Sequence, residues 1–201
     1  MLTGDIIAEK KQLRTHYLAL RAAIPDAEKR QLDVALCRAI AAHPAFLLCD
    51  TLLCFAAVRG EPDFSALYRL ARERGLKTAF PRCEGTQMHF HLTQDEDELL
   101  AGRFGIPTPP ADAPLASFTS RTLCLLPALA AAPDGTRLGY GGGFYDRFLV
   151  DFPGITLLPI YDLLLTKTLP AEPTDVRVSH ILTQKGVICC DAGTFSAAPP
   201  L

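Results

Sequence analysis

Four of the five residues from Gly139 to Gly143 are glycine, and this glycine loop is the part of the chain best suited to bind a ligand. Glycine offers no apolar surface and loses the most backbone entropy on folding, so the cluster requires a reason other than packing. Its bare backbone N–H groups can approach a bulky anion. The residues after the loop, Phe144–Val150, can form a helix, whose N-terminal N–H groups and dipole also attract negative charge. The pattern therefore predicts a phosphate-binding loop rather than a plain surface turn.

Two charged residues flank the glycine loop. Arg137 precedes it and adds a fixed cation suited to phosphate. Asp146 follows it and adds a hard oxygen ligand suited to magnesium. The loop, the cation and the carboxylate together predict a site for a phosphate group held with a magnesium ion.

The loop does not match the common nucleotide-binding fingerprints. A dinucleotide loop would require glycine at Phe144, and a Walker loop would require Gly-Lys-Ser/Thr. Residues 126–146, which read LPALAAAPDGTRLGYGGGFYD, instead resemble the signature of the 5-formyltetrahydrofolate cyclo-ligases, also called methenyltetrahydrofolate synthetases. Shorter resemblances extend over nearly the whole chain: KKQLR at 10–14, GEPD at 60–63, PR at 81–82, GRFGIP at 102–107 and LPAEPTD at 169–175.

The resemblance implies an enzyme that uses ATP and magnesium to close 5-formyltetrahydrofolate to 5,10-methenyltetrahydrofolate. A formyl amide is stabilised by resonance and its oxygen is a poor leaving group. Phosphorylation of that oxygen lets it leave as phosphate once N10 of the folate attacks the carbon. Such a transfer needs in-line positioning and cations around the moving charge more than covalent help from the protein.

The resemblance also implies a set of site residues. The catalytic residues are expected to be Arg137 and Tyr145. The ATP site is expected to comprise Lys10, Arg14, Arg137, Leu138, Gly139, Tyr140, Gly141, Gly142, Gly143, Phe144 and Tyr145. The folate site is expected to comprise Ala56, Glu61, Phe104, Tyr140 and Phe144, and the magnesium ligands are expected to be Asp146 and Asp175.

The residues themselves give some of these roles a chemical reason. The carboxylate of Glu61 can accept two parallel N–H bonds from the 2-amino-pyrimidine edge of a pterin, and Phe104 can stack on its ring. Lys10 and Arg14 are four residues apart and share a helix face, where charged residues are usually solvated. Taken alone, Asp175 is typical of a turn, and Glu61 could equally be exposed.

Three departures from the family pattern bear on activity. Family members commonly carry Phe-Asp where this chain has Ala131-Ala132, aspartate where it has Ser179, and glutamine where it has Leu164. A diverged homologue that binds a nucleotide or phosphometabolite without cyclo-ligase activity therefore remains an alternative. A sugar-phosphate isomerase would need a catalytic carboxylate or lysine for which no candidate is evident. An effector-sensing domain usually accompanies a DNA-binding helix-turn-helix, and the N-terminal helices carry no clear recognition helix or basic surface.

Composition limits the possible partners. The chain has 201 residues, 49% of them hydrophobic and 21% charged, with a net charge of −2. This balance is typical of a globular protein and gives no basic field for nucleic acid or an anionic membrane. The seven cysteines contain no C-x-x-C pair, which favours reduced thiols. Without an apolar run of membrane-spanning length or a signal-peptide core, the protein is expected to be cytoplasmic. It is also expected to be monomeric, and the resemblance implies ATP and 5-formyltetrahydrofolate as its partners.

Alternating helical and strand patterns predict an α/β fold. Helices are expected at 5–22, at 26–43 with Asp26 as cap and Pro44 as stop, and from a cap at Asp63 to Gly75; strands are expected at 51–58, 77–81, 88–92, 122–126, 155–160, 178–183 and 187–190. This order predicts three α/β/α layers with a mostly parallel sheet, and the resemblance implies the NagB/RpiA/CoA-transferase-like topology. One domain is expected over 1–195, with a loose tail at 196–201. Because Glu61 and the glycine loop both follow strands, one crevice at the sheet edge should hold both.

Overall fold

The computed structural model of the protein describes residues 3–102 and 105–190. The helices are α1 (Thr3–Ala22), α2 (Asp26–Ala42), α3 (Pro44–Leu48), α4 (Ser65–Glu73) and α5 (Phe144–Leu149). The strands are β1 (Thr51–Leu53), β2 (Lys77–Glu84), β3 (Gln87–Leu92), β4 (Leu100–Ala101), β5 (Pro107–Thr108), β6 (Thr122–Leu125), β7 (Ala130–Ala131), β8 (Arg137–Leu138), β9 (Ile155–Pro159), β10 (His180–Thr183) and β11 (Gly186–Cys189). The predicted stacking residue Phe104 and the predicted tail at 196–201 lie outside the described residues.

A seven-stranded sheet in the order β11-β10-β9-β6-β1-β2-β3 forms the centre of the molecule. The strands from β10 to β2 are parallel, while β3 and β11 pair antiparallel at the two edges. Helices α2 and α4 contact each other and pack on β10 and β2, and α5 packs on β3. The central strands β1 and β6 are entirely buried, as their continuous apolar runs predict. The predicted α/β fold with a mostly parallel sheet is confirmed.

The sheet order places two chain segments beside each other. Strands β1 and β6 are parallel neighbours, with Leu53 opposite Cys124, so both chains leave the sheet at the same edge. The turn that carries Glu61 follows β1, and the segment leading to the glycine loop follows β6. This topology therefore brings the two predicted halves of the site to one edge.

Several predicted boundaries differ from the structure. The first strand ends at Leu53 rather than Val58, because residues 55–58 leave the sheet and line a cavity. Asp26 is not the cap of α2; it is the first helical residue, and Pro25 precedes it without a side-chain cap. The remaining predicted strands are present, with bounds shifted by one to three residues.

Two other helix ends follow from local hydrogen bonds. Pro44 begins α3 instead of only ending α2, and Nδ1 of His43 accepts a hydrogen bond from the Ala45 backbone at 3.2 Å. The N-cap of α4 is Phe64 rather than the predicted Asp63, but Asp63 lies just before it and its Oδ1 accepts from the Ser65 backbone at 2.9 Å. None of the described helices is long and apolar enough to cross a membrane.

The first helix buries a face that its apolar residues did not predict. The helical spacing of Ile6, Leu13, Tyr17 and Leu20 predicts an apolar buried face; Tyr17 is buried, but Leu20 is 37% exposed. Lys10 and Arg21 are only 4% and 2% exposed. This helix therefore turns cations inward, and cations are rarely buried unless they have partners.

Candidate active site

The glycine loop takes a backbone conformation that depends on two of its glycines. Gly141 and Gly143 have φ angles of +96° and +65°, which side chains disfavour. A Cβ at Gly141 would also lie 3.1 Å from Cζ of Arg14. Gly143 precedes α5, which has only six residues and so a small dipole. Attraction of an anion to this loop therefore depends chiefly on nearby side chains.

Arg14 fixes α1 against the glycine loop. Its Nε donates to the carbonyl oxygen of Gly139 at 2.9 Å, while its Nη atoms make no hydrogen bond to the described residues. On the other side of the loop, Nη2 of Arg147 donates to the Gly142 carbonyl at 3.0 Å, and its guanidinium lies 5.0 Å from the Phe144 ring centroid. The loop is thus held between two arginines.

Lys10 joins α1 to the C-terminal part of the chain. Its Nζ lies 2.8 Å from Oε2 of Glu172 and 2.5 Å from Oδ2 of Asp175. Burial lowers the pKa of Lys10, but hydrogen bonds and charge from Asp175 and Glu172 outweigh it and leave the pKa raised, so the ammonium stays charged. The expectation of a solvated cation, drawn from helix position alone, is wrong for Lys10.

Arg137 and Asp146 contact each other beneath the glycine loop. Nη2 of Arg137 lies 2.7 Å from Oδ1 of Asp146, which also accepts from the Val176 backbone at 3.1 Å. Arg137 is 8% exposed. The side chain of its neighbour Leu138 is buried in the core, so Leu138 could contribute to a nucleotide site only through its backbone.

The two predicted metal ligands are brought into one region. Asp175 lies next to Val176, whose backbone N–H binds Asp146. Oδ2 of Asp175 is occupied by Lys10 and by the Glu172 backbone at 2.8 Å, whereas Oδ2 of Asp146 has no hydrogen bond to the described residues. Among those residues, no group of three or more His, Cys, Asp or Glu could hold a metal alone. Two carboxylates fit a magnesium ion whose remaining ligands are waters and phosphates.

Glu61 is buried at the wall of a cavity of about 620 Å³. It is 3% exposed, and its Oε2 accepts from the Val58 backbone at 3.0 Å. Burial raises the pKa of Glu61, although the Val58 N–H and the Arg21 cation oppose the rise. Ala56 also lines this cavity, as do Phe55, Phe64, Tyr68, Leu99 and Pro107.

Tyr140 connects the glycine loop with the Glu61 turn. Its hydroxyl accepts a short hydrogen bond from Nη2 of Arg21. The hydroxyl lies close enough to Glu61 to lower the pKa of that carboxyl, but its geometry toward Oε1 falls short of a hydrogen bond. Burial, reinforced by the Glu61 charge, raises the pKa of Tyr140 to about 12. The guanidinium of Arg59 lies 5.6 Å from the centroid of the Tyr140 ring.

Sequence reasoning missed Arg21. Lys10, Arg14, Tyr17 and Arg21 follow one another at spacings of four, three and four residues, so all four lie on one helix face. A cationic row with this spacing was the available signal. The apolar residues of the same helix predict a different buried face and obscure this signal.

Three of the predicted site residues have a buried polar atom without a partner. Among the described residues, such side-chain atoms are Glu61 Oε1, Arg72 Nη1, Arg137 Nε and Tyr145 OH. Buried polar groups are nearly always hydrogen-bonded, and each orphan costs about 1–3 kcal/mol. Burial raises the pKa of Tyr145 well above its ordinary value, with smaller effects from the charges of Glu61 and Arg137. The site therefore lacks groups that a ligand can supply.

Comparison with known proteins identifies the family. The model of the 5-formyltetrahydrofolate cyclo-ligase family matches residues 6–184. The chain belongs to this family. A 5-formyltetrahydrofolate cyclo-ligase of Mycolicibacterium smegmatis is 30% identical over 184 residues, which cover 88% of this chain and 94% of the relative. The Escherichia coli K12 protein of the same name is 27% identical over 175 residues, covering 83% and 95%.

Solved structures of cyclo-ligase relatives share the fold. The NMR structure of Aquifex aeolicus 5,10-methenyltetrahydrofolate synthetase superposes with a TM-score of 0.79 at 24% identity, covering 94% of this chain and 96% of that one. The Mycoplasma pneumoniae 5,10-methenyltetrahydrofolate synthetase gives a TM-score of 0.70 at 20% identity, covering 88% and 99%. The predicted family, and with it the class of enzyme, is confirmed.

The positions where this chain departs from the cyclo-ligase pattern supply no carboxylate. Ala132 and Leu164 are each 1% exposed. Ser179 is engaged with its neighbouring strand, since its Oγ donates to the Thr156 carbonyl at 3.0 Å and lies 3.0 Å from Nδ1 of His180. Any acidic ligand for a metal must then come from elsewhere, and Asp146 and Asp175 are the candidates placed near the loop.

Proposed function

We propose that the protein catalyses the ATP- and magnesium-dependent cyclisation of 5-formyltetrahydrofolate to 5,10-methenyltetrahydrofolate. The observation that carries this proposal is a set of buried atoms without a hydrogen-bond partner among the described residues, namely Glu61 Oε1, Arg137 Nε and Tyr145 OH. They offer an acceptor, a cationic donor and a hydroxyl. A pterin edge, a phosphate and a formyl group are the complementary partners.

Glu61 is proposed to bind the pterin. Its free Oε1 and its neighbour Oε2 can accept the paired N–H groups of the 2-amino-pyrimidine edge. The adjacent cavity of about 620 Å³ is of the size that encloses small organic ligands. Ala56 lines this cavity and would contact the ring system.

The glycine loop is proposed to bind the triphosphate. Nε of Arg137 can donate to a phosphate oxygen without breaking the contact of Nη2 with Asp146. The uncommitted Nη atoms of Arg14 lie beside Gly141 and can add further donors. Lys10 contributes positive charge but acts mainly by holding Asp175 in place.

The proposed reaction has two steps. The γ-phosphoryl group of ATP passes to the formyl oxygen, its bond to the bridging oxygen breaks, and ADP leaves. N10 then attacks the formyl carbon, the carbon–oxygen bond breaks, its electrons leave with phosphate, and N10 loses its proton to water. Arg137 stabilises charge on the transferring group, and Tyr145 stays protonated because its pKa is raised, so it can donate a hydrogen bond near the formyl oxygen. Magnesium bound by Asp146 and Asp175 would offset the charge of the phosphates.

A direct assay tests the proposal. The protein is incubated with 5-formyltetrahydrofolate, ATP and magnesium chloride, and methenyl absorbance is followed together with ADP release. One ADP is expected per methenyl product, with no product when ATP is omitted. Binding of ATP without any methenyl product would contradict the proposal and favour the diverged binding module. The buried apolar residues Ala132 and Leu164, where relatives carry polar ones, are the observation that favours this alternative.

A further inference from the structure

Arg21 is the most buried charged side chain among the described residues, at 2% exposed. Its Nε donates to the Arg59 carbonyl at 3.1 Å and its Nη1 to the Ala128 carbonyl at 3.2 Å, while its Nη2 binds the hydroxyl of Tyr140. These partners belong to the turn after β1, the segment after β6 and the glycine loop. One planar guanidinium therefore joins the folate side of the site to the nucleotide side, in a fork that lysine cannot reproduce.

The charge of Arg21 has no direct ion pair. Within the described part of the chain no carboxylate oxygen lies within 4.0 Å of its guanidinium. The Arg21 cation interacts instead with the more distant carboxylate of Glu61 and lowers the pKa of that carboxyl. A buried cation without such a counter-charge is costly, so Arg21 and Glu61 stabilise each other's charged forms, with Tyr140 between them. The titratable and charged groups that face Glu61 are Arg21, Arg59, Tyr140 and Tyr145.

We propose that Arg21 is a positioning residue that holds the Tyr140 hydroxyl between the glycine loop and the Glu61 turn, and so makes the binding of ATP and of the folate interdependent. This inference rests on the proposed function. When the folate binds Glu61, the turn that carries Arg59 becomes fixed. Arg21 is hydrogen-bonded both to this turn and to Tyr140, so fixing the turn also orders the glycine loop. The reverse must hold as well, because coupling between two binding sites is reciprocal.

Ligand coupling is the first test. Calorimetry measures the Kd of a non-hydrolysable ATP analogue with magnesium, in the absence and presence of 5-formyltetrahydrofolate. In the wild-type protein the folate is expected to lower this Kd by about 5-fold or more. Arg21→Gln is expected to abolish the difference, whereas Arg38→Gln, which changes an exposed arginine of α2, should keep it. Persistent coupling in Arg21→Gln would overturn the inference.

A double-mutant cycle tests the route through Tyr140. Arg21→Gln and Tyr140→Phe are each expected to lower kcat/KM for 5-formyltetrahydrofolate by about tenfold, as expected for loss of a charge-assisted hydrogen bond. The double variant should be no worse than the poorer single variant, because the Arg21–Tyr140 hydrogen bond is already lost in each single variant. Losses that multiply would show that Arg21 acts by another route and would contradict the inference.

The pH dependence separates positioning from mere structural support. Loss of the Arg21 charge raises the pKa of Glu61 further, so the acidic limb of kcat/KM should move to higher pH in Arg21→Gln. Arg21→Lys keeps a charge but loses the fork, so its acidic limb should stay near that of wild type while ligand coupling is lost.

If Arg21→Gln fails to fold, Arg21→Lys decides the matter: retained coupling there overturns the inference. A wild-type protein that forms no methenyl product overturns the proposed function itself, and the inference with it.

Discussion

Nη2 of Arg137 lies 2.7 Å from Oδ1 of Asp146, so the two charged residues that flank the glycine loop form an ion pair beneath it. Each residue also has one polar atom that is available to bind a ligand. Nε of Arg137 is buried without a hydrogen bond to the described residues, and Oδ2 of Asp146 likewise has none. The pair therefore holds a cation and a carboxylate in fixed orientation before any phosphate arrives, which lowers the cost of ordering them on binding.

Arg137→Ala is expected to abolish most of the thermal stabilisation that magnesium-ATP confers. A ligand that binds only the folded state raises its stability in proportion to the logarithm of its concentration over Kd. The variant loses the cationic donor at the loop, so Kd should rise. Thermal melts with and without magnesium-ATP measure the shift, and Arg30→Ala, at an exposed position of α2, is the matched control. An undiminished shift in Arg137→Ala would remove Arg137 from the phosphate site.

Lys10→Met is expected to lower the free energy of unfolding by about 1–3 kcal/mol. The change leaves the carboxylates of Glu172 and Asp175, which are 26% and 22% exposed, facing each other without a cation. Adding Asp175→Asn removes one of the two charges and should restore part of the loss. Urea unfolding of both variants measures the effect.

The adjacent Lys11 provides the control for this experiment. It is exposed on the same helix, and Lys11→Met should leave the unfolding midpoint within the error of wild type. If Lys10→Met and Lys11→Met unfold alike, the contacts of Lys10 with Glu172 and Asp175 contribute nothing to stability.

Glu61→Gln is expected to raise KM for 5-formyltetrahydrofolate while KM for ATP stays near the wild-type value. Glutamine keeps the size of the side chain but replaces an acceptor with a donor where the pterin presents N–H groups. Burial raises the pKa of Glu61 above its ordinary value of 4.5, so wild-type kcat/KM should fall as pH drops through that raised pKa and the carboxylate becomes protonated. The variant has no such group and should lose this acidic limb. A raised KM for ATP with an unchanged KM for folate would place Glu61 at the other substrate.

The free energy of unfolding is expected to fall as pH drops below about 6.5 because of His43 and His180. Their ring centroids lie 5.7 Å apart. Burial lowers the pKa of both residues from 6.5, and the neighbouring His180 adds to the effect on His43. The unfolded chain then takes up protons more readily than the folded one, so these residues contribute stability above pH 6.5 that is lost as pH falls through the lowered pKa values.

Asparagine substitutions test this linkage. His43→Asn supplies a side-chain oxygen that can replace Nδ1 as the cap of α3, and the double variant with His180→Asn removes both titrating rings. Urea unfolding between pH 7.5 and 5.5 should show a smaller loss of stability in the double variant than in wild type. His16→Gln, at an exposed position of α1, serves as the control. Equal slopes in wild type and the double variant would show that the histidine pair does not govern this range.

The sequence alone was sufficient where the candidate site residues are close together along the chain. Arg137, the glycine loop and Asp146 span ten residues, so local geometry keeps them together in any fold. The positive φ angles of Gly141 and Gly143 are likewise a local property that glycine permits. Continuous apolar runs located the buried strands for the same reason, because the residues of one strand are neighbours along the chain.

Only the tertiary structure decided which distant residues meet at the loop. Lys10 and Asp175 are 165 positions apart, and Arg21 and Tyr140 are 119 apart, yet both pairs are in contact. Helical periodicity could place Lys10 and Arg21 on one face of α1, but it could not show that this face turns inward, because burial of a cation depends on partners supplied by other segments. The parallel pairing of β1 with β6 supplies the partners of Arg21, since it brings the Glu61 turn and the glycine loop to one edge of the sheet, where α1 contacts both. The partners of Lys10 come from the segment after β9.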